Sequence, residues 1–150
     1  GSVHATTVTQ SRADAYSEAY QGFNLATSTG NTAYIEQTAD GSSLLIQDGD
    51  SNRASVFQSA SAESTILQGY FIGATNSSAQ VIQSADGAYS YVDQDGDRNE
   101  ATIEQSALDA YSYVSQTGDG NAAFVTQAFN AGAVSSIVQA GAGNSAIVRQ

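Results

Sequence analysis

The chain contains no cysteine, proline, methionine, tryptophan or lysine. Without cysteine, disulfides and thiolate metal sites are excluded, although the compartment stays open. Charged residues make up 13% of the chain, well below the roughly 25% of average proteins. The four basic residues are outnumbered by fifteen acidic ones, giving a net charge of −11. That balance argues against nucleic acid or an anionic membrane surface as a partner. No apolar run approaches the roughly eighteen residues of a membrane span, so membrane insertion is not expected. Gly1-Ser2-Val3-His4 lacks the basic and apolar regions of a signal peptide, so the chain reads as a mature or trimmed form. Gly1-Ser2 reads equally as native sequence or as a cloning remnant.

What fills the space is Gly, Ser, Ala, Asn and Gln in a fixed metre. Short lines close on Gln10, Gln21, Gln37, Gln47, Gln58, Gln68, Gln83, Gln94, Gln105, Gln116, Gln127, Gln139 and Gln150, most of them 11 residues apart. The lines alternate in kind. One kind opens with Asn (Asn31–Gln37, Asn52–Gln58, Asn99–Gln105, Asn121–Gln127, Asn144–Gln150), with Ser77 substituting in Ser77–Gln83. The other opens with Ala or Gly, as in Ala15–Gln21, Gly41–Gln47, Ala88–Gln94 and Ala133–Gln139. His4–Gln10 is an atypical first line. The repeat is therefore about 22 residues holding two lines, and such a period decides the fold before any local reading.

Within each line the residues alternate with period two, the mark of a strand with one buried face. One parity repeats, as in Asn52, Ala54, Val56 and Gln58, or Ala88, Ser90, Val92 and Gln94. The other varies freely, as in Glu100, Thr102 and Glu104. The repeating parity is expected inside. Helical spacing would scatter these residues around an axis, so a helix is rejected. The joints are Gly- and Asp-rich, such as Asp48-Gly-Asp-Ser51 and Asp95-Gly-Asp-Arg98, suited to positive φ and self-capping hydrogen bonds. Gly22–Gly30 and Gly69–Asn76 are too long for the metre and are expected to bulge as loops.

These features specify an all-β chain: a β-solenoid of strand–arc–strand coils, with two parallel in-register sheets facing each other in a cross-β, amyloid-like core. With coils stacking about 4.8 Å apart, the rod is roughly 30 Å long. Residues 1–30 form an atypical first coil and loop, and 31–150 the repeat domain. Inward amides are costly unless paired, so stacked Asn and Gln are expected to form ladders, each donating to one neighbour and accepting from the other. The ladder and polymerisation residues are Asn31, Gln37, Gln47, Asn52, Gln58, Gln68, Gln83, Gln94, Asn99, Gln105, Gln116, Asn121, Gln127, Gln139, Asn144 and Gln150. Tyr89, Tyr91, Tyr111 and Tyr113 face outward one coil apart and should stack in pairs.

The Asn-x-Ala-x-Ile/Val-x-Gln and Ala-x-Ser-x-Val-x-Gln lines, joined by x-Gly-x-x, resemble the repeats of curlins, the subunits of curli amyloid fibres. The match covers about 31–150 well and 4–21 more loosely. The resemblance implies a secreted subunit of a Gram-negative bacterium, exported through an outer-membrane pore, polymerising with itself into cell-surface biofilm fibres and started by a nucleator subunit. It also implies that the stacking Asn and Gln drive assembly. Asn144–Gln150 is well formed with Arg149 as its one basic residue, which favours the major subunit over the nucleator. The family's Gly-rich leader is not evident before residue 4. No polar cap covers the last lines, so head-to-tail addition is expected. The turn carboxylates Asp40, Asp48, Asp50, Asp86, Asp95, Asp97, Asp109 and Asp119 are expected to act as gatekeepers, repelling along the rod edges until salt or acid relieves them.

Rival chemistries fare worse. Asp93-x-Asp95-x-Asp97 with Glu104 echoes a calcium loop, making a secreted calcium-binding β-roll the alternative, but Arg98 stands where that loop needs Gly. An ice-binding face would need Thr in every coil, yet Tyr34, Ser55, Gln80 and Phe124 occupy the column of Thr7. His4 is the sole histidine, so neither a metal site nor a Ser-His-Asp arrangement is expected. The reading is of a structural protein, not an enzyme, with no cofactor and no metal.

Overall fold

A computed structural model describes residues 3–22 and 28–150. Gly1-Ser2 and the central part of the Gly22–Gly30 insertion lie outside the described residues.

Alternation and β-branched or small inward residues produce strands and nothing else among the described residues. The Asn-type lines form one sheet: β1 (Ala5–Gln10), β3 (Thr32–Gln37), β6 (Arg53–Gln58), β9 (Ser78–Gln83), β11 (Glu100–Gln105), β13 (Ala122–Gln127) and β15 (Ser145–Arg149), in that spatial order. The Ala-type lines form the main path of the second: β2 (Tyr16–Gln21), β4 (Ser42–Gln47), β7 (Glu63–Gln68), β10 (Tyr89–Asp97), β12 (Tyr111–Thr117) and β14 (Val134–Ala140). Every neighbouring pair is parallel and in register, so Ala54 lies beside Ala33 and Ala79, and Val114 beside Val92 and Ile137. The chain is a β-solenoid of about six turns.

The core lies between the sheets. Ile35, Val56, Val81, Ile103 and Val125 from one sheet pack against Leu45, Ile66, Val92, Val114 and Ile137 from the other. Each such side chain contributes about 1.5–3 kcal/mol when fully removed from water. The contribution depends on having a coil on both sides. Ile35 is 0% exposed, whereas Val8, its in-register neighbour on the outermost strand β1, is 44% exposed.

The arcs differ from expectation in two ways. The lines are seven residues long in sequence, but the strands mostly cover six, because the opening Asn or Ala belongs to the arc. Asn31, Asn52 and Asn99 are nevertheless 1% exposed. The Gly69–Asn76 insertion also leaves the stack for less of its length than its excess residues suggest. Ala74–Thr75 returns as β8 and pairs with β5 (Gly49–Asp50) on one side and with Gly96 and Asp97 on the other. Thr29 likewise bridges to Asp50 at the far end of the first insertion. Both insertions therefore rejoin the same arc, and only Gly69–Gly73 of the second projects, leaving Phe71 and Ile72 exposed.

The metre's Gly is required by the closeness of the arcs. A Cβ at Gly118 would lie 2.2 Å from the carbonyl oxygen of Gly141, and one at Gly96 would lie 2.4 Å from that of Gly118. Both residues also have positive φ (98° and 109° for Gly96 and Gly118), which only glycine adopts without cost.

Candidate functional site: the amide ladders

Glutamine closes each line with its side chain turned inward, and from Gln37 to Gln139 burial leaves it little or no water. It is satisfied in two directions. Along the axis of the first sheet, Nε2 donates to Oε1 of the next coil from Gln10 to Gln37 (2.7 Å), Gln37 to Gln58 (2.6 Å), Gln58 to Gln83 (2.8 Å), Gln83 to Gln105 (2.9 Å), Gln105 to Gln127 (3.0 Å) and Gln127 to Gln150 (3.2 Å). In the second sheet the same chain runs from Gln21 through Gln47, Gln68, Gln94 and Gln116 to Gln139, at 2.8–2.9 Å. All eleven bonds point toward the C-terminal coil. Aligned amide dipoles of this kind polarise one another.

The second direction was not legible in the sequence. From Gln21 onward the other N–H of the amide crosses to the opposite sheet and meets a backbone carbonyl at the start of a strand, as in Gln94 to Ser78, Gln105 to Tyr89 and Gln116 to Glu100, whereas Gln10 meets the Ser17 hydroxyl. Each glutamine thus ties coil to coil and sheet to sheet. Gln37, Gln47, Gln58, Gln68, Gln83, Gln94, Gln105, Gln116 and Gln127 are all buried.

Asparagine behaves differently, and the expectation of a uniform Asn ladder is corrected. One methylene shorter, the amide works mainly on the backbone of the arc. Oδ1 accepts the backbone N–H of the next line's opening residue: Asn31 from Asn52, Asn52 from Ser77, Asn99 from Asn121 and Asn121 from Asn144. Nδ2 clamps arc carbonyls, with Asn52 on Asp48 and Ala74 and Asn99 on Asp95 and Gly118. Asparagine-to-asparagine side-chain contacts among the described residues are Asn121 to Asn99 (3.1 Å) and Asn144 to Asn121 (2.9 Å), and they run opposite to the glutamine ladders; Asn31 donates instead to the Ser28 hydroxyl. Ser77 fills the Asn position with a hydroxyl that accepts from Asn99 N and donates to Gly96 O at 3.3 Å.

The turn carboxylates are not uniformly placed. Asp48 and Asp95 are buried, whereas Asp40, Asp97, Asp109 and Asp119 lie at the exposed or half-exposed edge. Several staple neighbouring coils by accepting backbone N–H groups: Asp50 from Thr29, Asp86 from Ser61, and Asp119 from Asp97. Asp95 accepts from Phe71 and Ile72, anchoring the projecting loop, and Asp97 accepts the Thr75 hydroxyl. The spacing Asp93-x-Asp95-x-Asp97 therefore does not converge on one point, and no acidic or histidine group of three or more among the described residues is placed to hold a metal ion. Burial, aided by the Asp95 charge, pushes the Asp93 carboxyl up to about 6.

Two features escaped the sequence. The inward hydroxyls of Ser43, Ser64, Ser90, Ser112 and Ser135 are buried without a hydrogen-bond partner. A surface groove of about 550 Å³ opens beside the arcs, lined by Asp14, Tyr16, Asp40, Glu63 and Tyr89 among others; His4 lies outside it. The outward tyrosines stack as expected, Tyr89 on Tyr111 and Tyr91 on Tyr113.

Parallel two-strand coils held by buried amide ladders define a class of protein, a stacking β-solenoid whose site is its own repeating interior. The curlin associated repeat model matches residues 74–106, which span three successive lines of the stack from β8 to the end of β11. No curated protein and no solved structure matches the chain. Over those residues the chain is curlin-like; the repeat supports a curli subunit role in fibres, and the repeat and the fold together point to a structural protein.

Proposed function

We propose that the protein is the major structural subunit of an extracellular functional amyloid of the biofilm matrix of a Gram-negative bacterium, growing head-to-tail on copies of itself. The observation that carries this is the common direction of the two glutamine ladders. On the outer coil formed by β14 and β15, Gln139 and Gln150 each donate one N–H to a backbone carbonyl, Ala122 and Val134 respectively, and have a second N–H to offer. On the opposite outer coil, Gln10 Oε1 has no donor among the described residues. Ladders that all run one way are continued only by a copy stacked in the same sense, which makes the contact heterologous and propagates it as a filament.

Columns kept from Asn31 to Gln150, with Gly41 and Ser77 as departures, support the major role over the nucleating one. In this reading residues 1–30 are the atypical entrance to the solenoid and 31–150 its repeat body. A nucleating subunit and an outer-membrane export pore are the further partners the reading calls for. The exposed turn carboxylates serve as rate controls, so added salt should shorten the lag in a thioflavin assay; an unchanged lag would remove that role. The assembly reading is tested by seeded elongation. Gln139→Ala and Gln150→Ala should slow growth strongly and Thr102→Ala, on the outer face, hardly at all. Equal rates for all three would overturn ladder-templated growth.

A further inference from the structure

The outer face of the second sheet carries two stacked tyrosine pairs on adjacent coils. Tyr89 and Tyr111 have ring centroids 5.2 Å apart and planes within 6°, and Tyr91 and Tyr113 have centroids 5.3 Å apart and planes within 9°. Both pairs bridge the same two strands, β10 and β12, in register. The other tyrosines are placed differently. Tyr34 faces Phe57, Tyr70 meets Phe71 edge-on, and Tyr16 and Tyr20 stand on one strand, whose in-register neighbours are Ser42 and Ile46.

We propose that Tyr89–Tyr111 and Tyr91–Tyr113 are sites of oxidative coupling, where a one-electron oxidant of the haem-peroxidase class, working with hydrogen peroxide, joins successive coils by carbon–carbon bonds. The chain has no cysteine, so disulfide chemistry is closed to it, and phenol coupling is a covalent bridge that its composition permits. Burial raises the Tyr89 phenol above its ordinary value and pushes Tyr91 up to about 12, so both enter the reaction as neutral phenols. Each phenol of a pair gives up its O–H hydrogen, one electron and one proton, to the oxidant. The two radicals join at ring carbons ortho to the oxygens, and the hydrogen on each of those carbons then moves to oxygen, restoring both phenols. One hydrogen peroxide is reduced to two waters for each bridge formed. In-register stacking keeps the two radicals adjacent throughout their short life, the usual advantage of holding reactants in place. A bridge here would prevent β10 and β12 from separating even when their hydrogen bonds open.

The four arginines give the experiment a sharp readout. Trypsin cleaving after Arg53 and Arg98 places Tyr89 and Tyr91 in peptide 54–98 and Tyr111 and Tyr113 in peptide 99–149. The folded, dilute chain is treated with a haem peroxidase and limiting hydrogen peroxide, digested, and analysed by mass spectrometry and dityrosine fluorescence. The expected result is a bridged 54–98/99–149 species lacking two hydrogens per bond, with fragmentation placing the bonds at 89–111 and 91–113. Tyr111→Phe should remove the first bond and spare the second, and the Tyr111→Phe/Tyr113→Phe pair should bring the bridged species to background. The chain oxidised in urea serves as the reference. The proposal is overturned if the folded chain gives no dityrosine while the unfolded one does, or if both give the same scatter of tyrosine pairs.

Discussion

The two ends of each strand use the same functional group for different work. At the closing end, glutamine repeats one bond from coil to coil and a second across to the facing sheet. At the opening end, asparagine reaches mainly backbone, accepting the next coil's N–H and clamping the carbonyls of its own and a neighbouring arc. The difference is one methylene. The longer amide spans the interval between copies while its second N–H crosses the core. The shorter one stays with the turn, where Gly96 and Gly118 bring carbonyls within reach. An amide column in a solenoid can therefore be mainly a ladder or mainly a clamp, and from Asn99 to Asn144 the shorter amide does both.

The comparison can be broken most forcefully at the ladder. Gln94→Ala removes a fully buried amide and leaves Gln68 Nε2 without its acceptor and Gln116 Oε1 without its donor. With each orphaned group costing about 1–3 kcal/mol, denaturant titration should show a loss of about 3–5 kcal/mol. At the clamp, Asn99→Ala should cost about 2–3 kcal/mol by the same reasoning. Asn99→Ser should recover much of this, because Ser77 already shows that a hydroxyl fits the position. A serine at a Gln position should recover nothing. Equal rescue at both ends would erase the distinction between ladder and clamp.

The outer face gives smaller, pH-dependent effects. Asp93 has a folded-state value of about 6 against an ordinary 3.8, raised by burial and by the neighbouring Asp95 charge. The folded state therefore holds this proton more tightly than the unfolded one. The resulting stabilisation is fully present below the ordinary value, is lost as pH rises through about 6 and is absent at neutral pH. Asp93→Asn should gain stability over wild type at neutral pH and lose that advantage in acid, as read by melting temperature at the two extremes. A constant difference would remove Asp93 from the pH response. The smallest effect is expected from Ser90→Ala. Its hydroxyl is buried without a partner, so replacement should be neutral or stabilising by up to about 1 kcal/mol. A clear loss in calorimetry would mean that the serine column bonds to something essential.

Much of this was legible because a solenoid writes its third dimension into its period. Val56 and Val81 stack because both precede the closing glutamine by two, and Tyr89 meets Tyr111 for the same arithmetic reason. What escaped depends on distances that no period encodes. Nothing in the sequence distinguishes the reach of Asn99 to Gly118 O from a reach to Asn121. The turn carboxylates were read as charges on an edge, yet Asp119 and Asp86 accept backbone N–H groups across coils and Asp95 is buried beneath the loop it anchors. Ala74–Thr75 returned to the stack because backbone pairing with Gly49–Asp50 was available, although its line length suggested a continuous bulge.

The central claim is that the glutamine ladder of one subunit continues into the next. Fibres grown from an equal mixture of chains carrying 15N-labelled and 13C-labelled glutamine test it directly by solid-state magnetic resonance. In such fibres, side-chain nitrogen-to-carbonyl transfer can arise only between different chains. Ladder-templated growth predicts such cross-peaks, weakened selectively by Gln139→Ala and Gln150→Ala. Well-ordered fibres with no inter-chain glutamine transfer would contradict it.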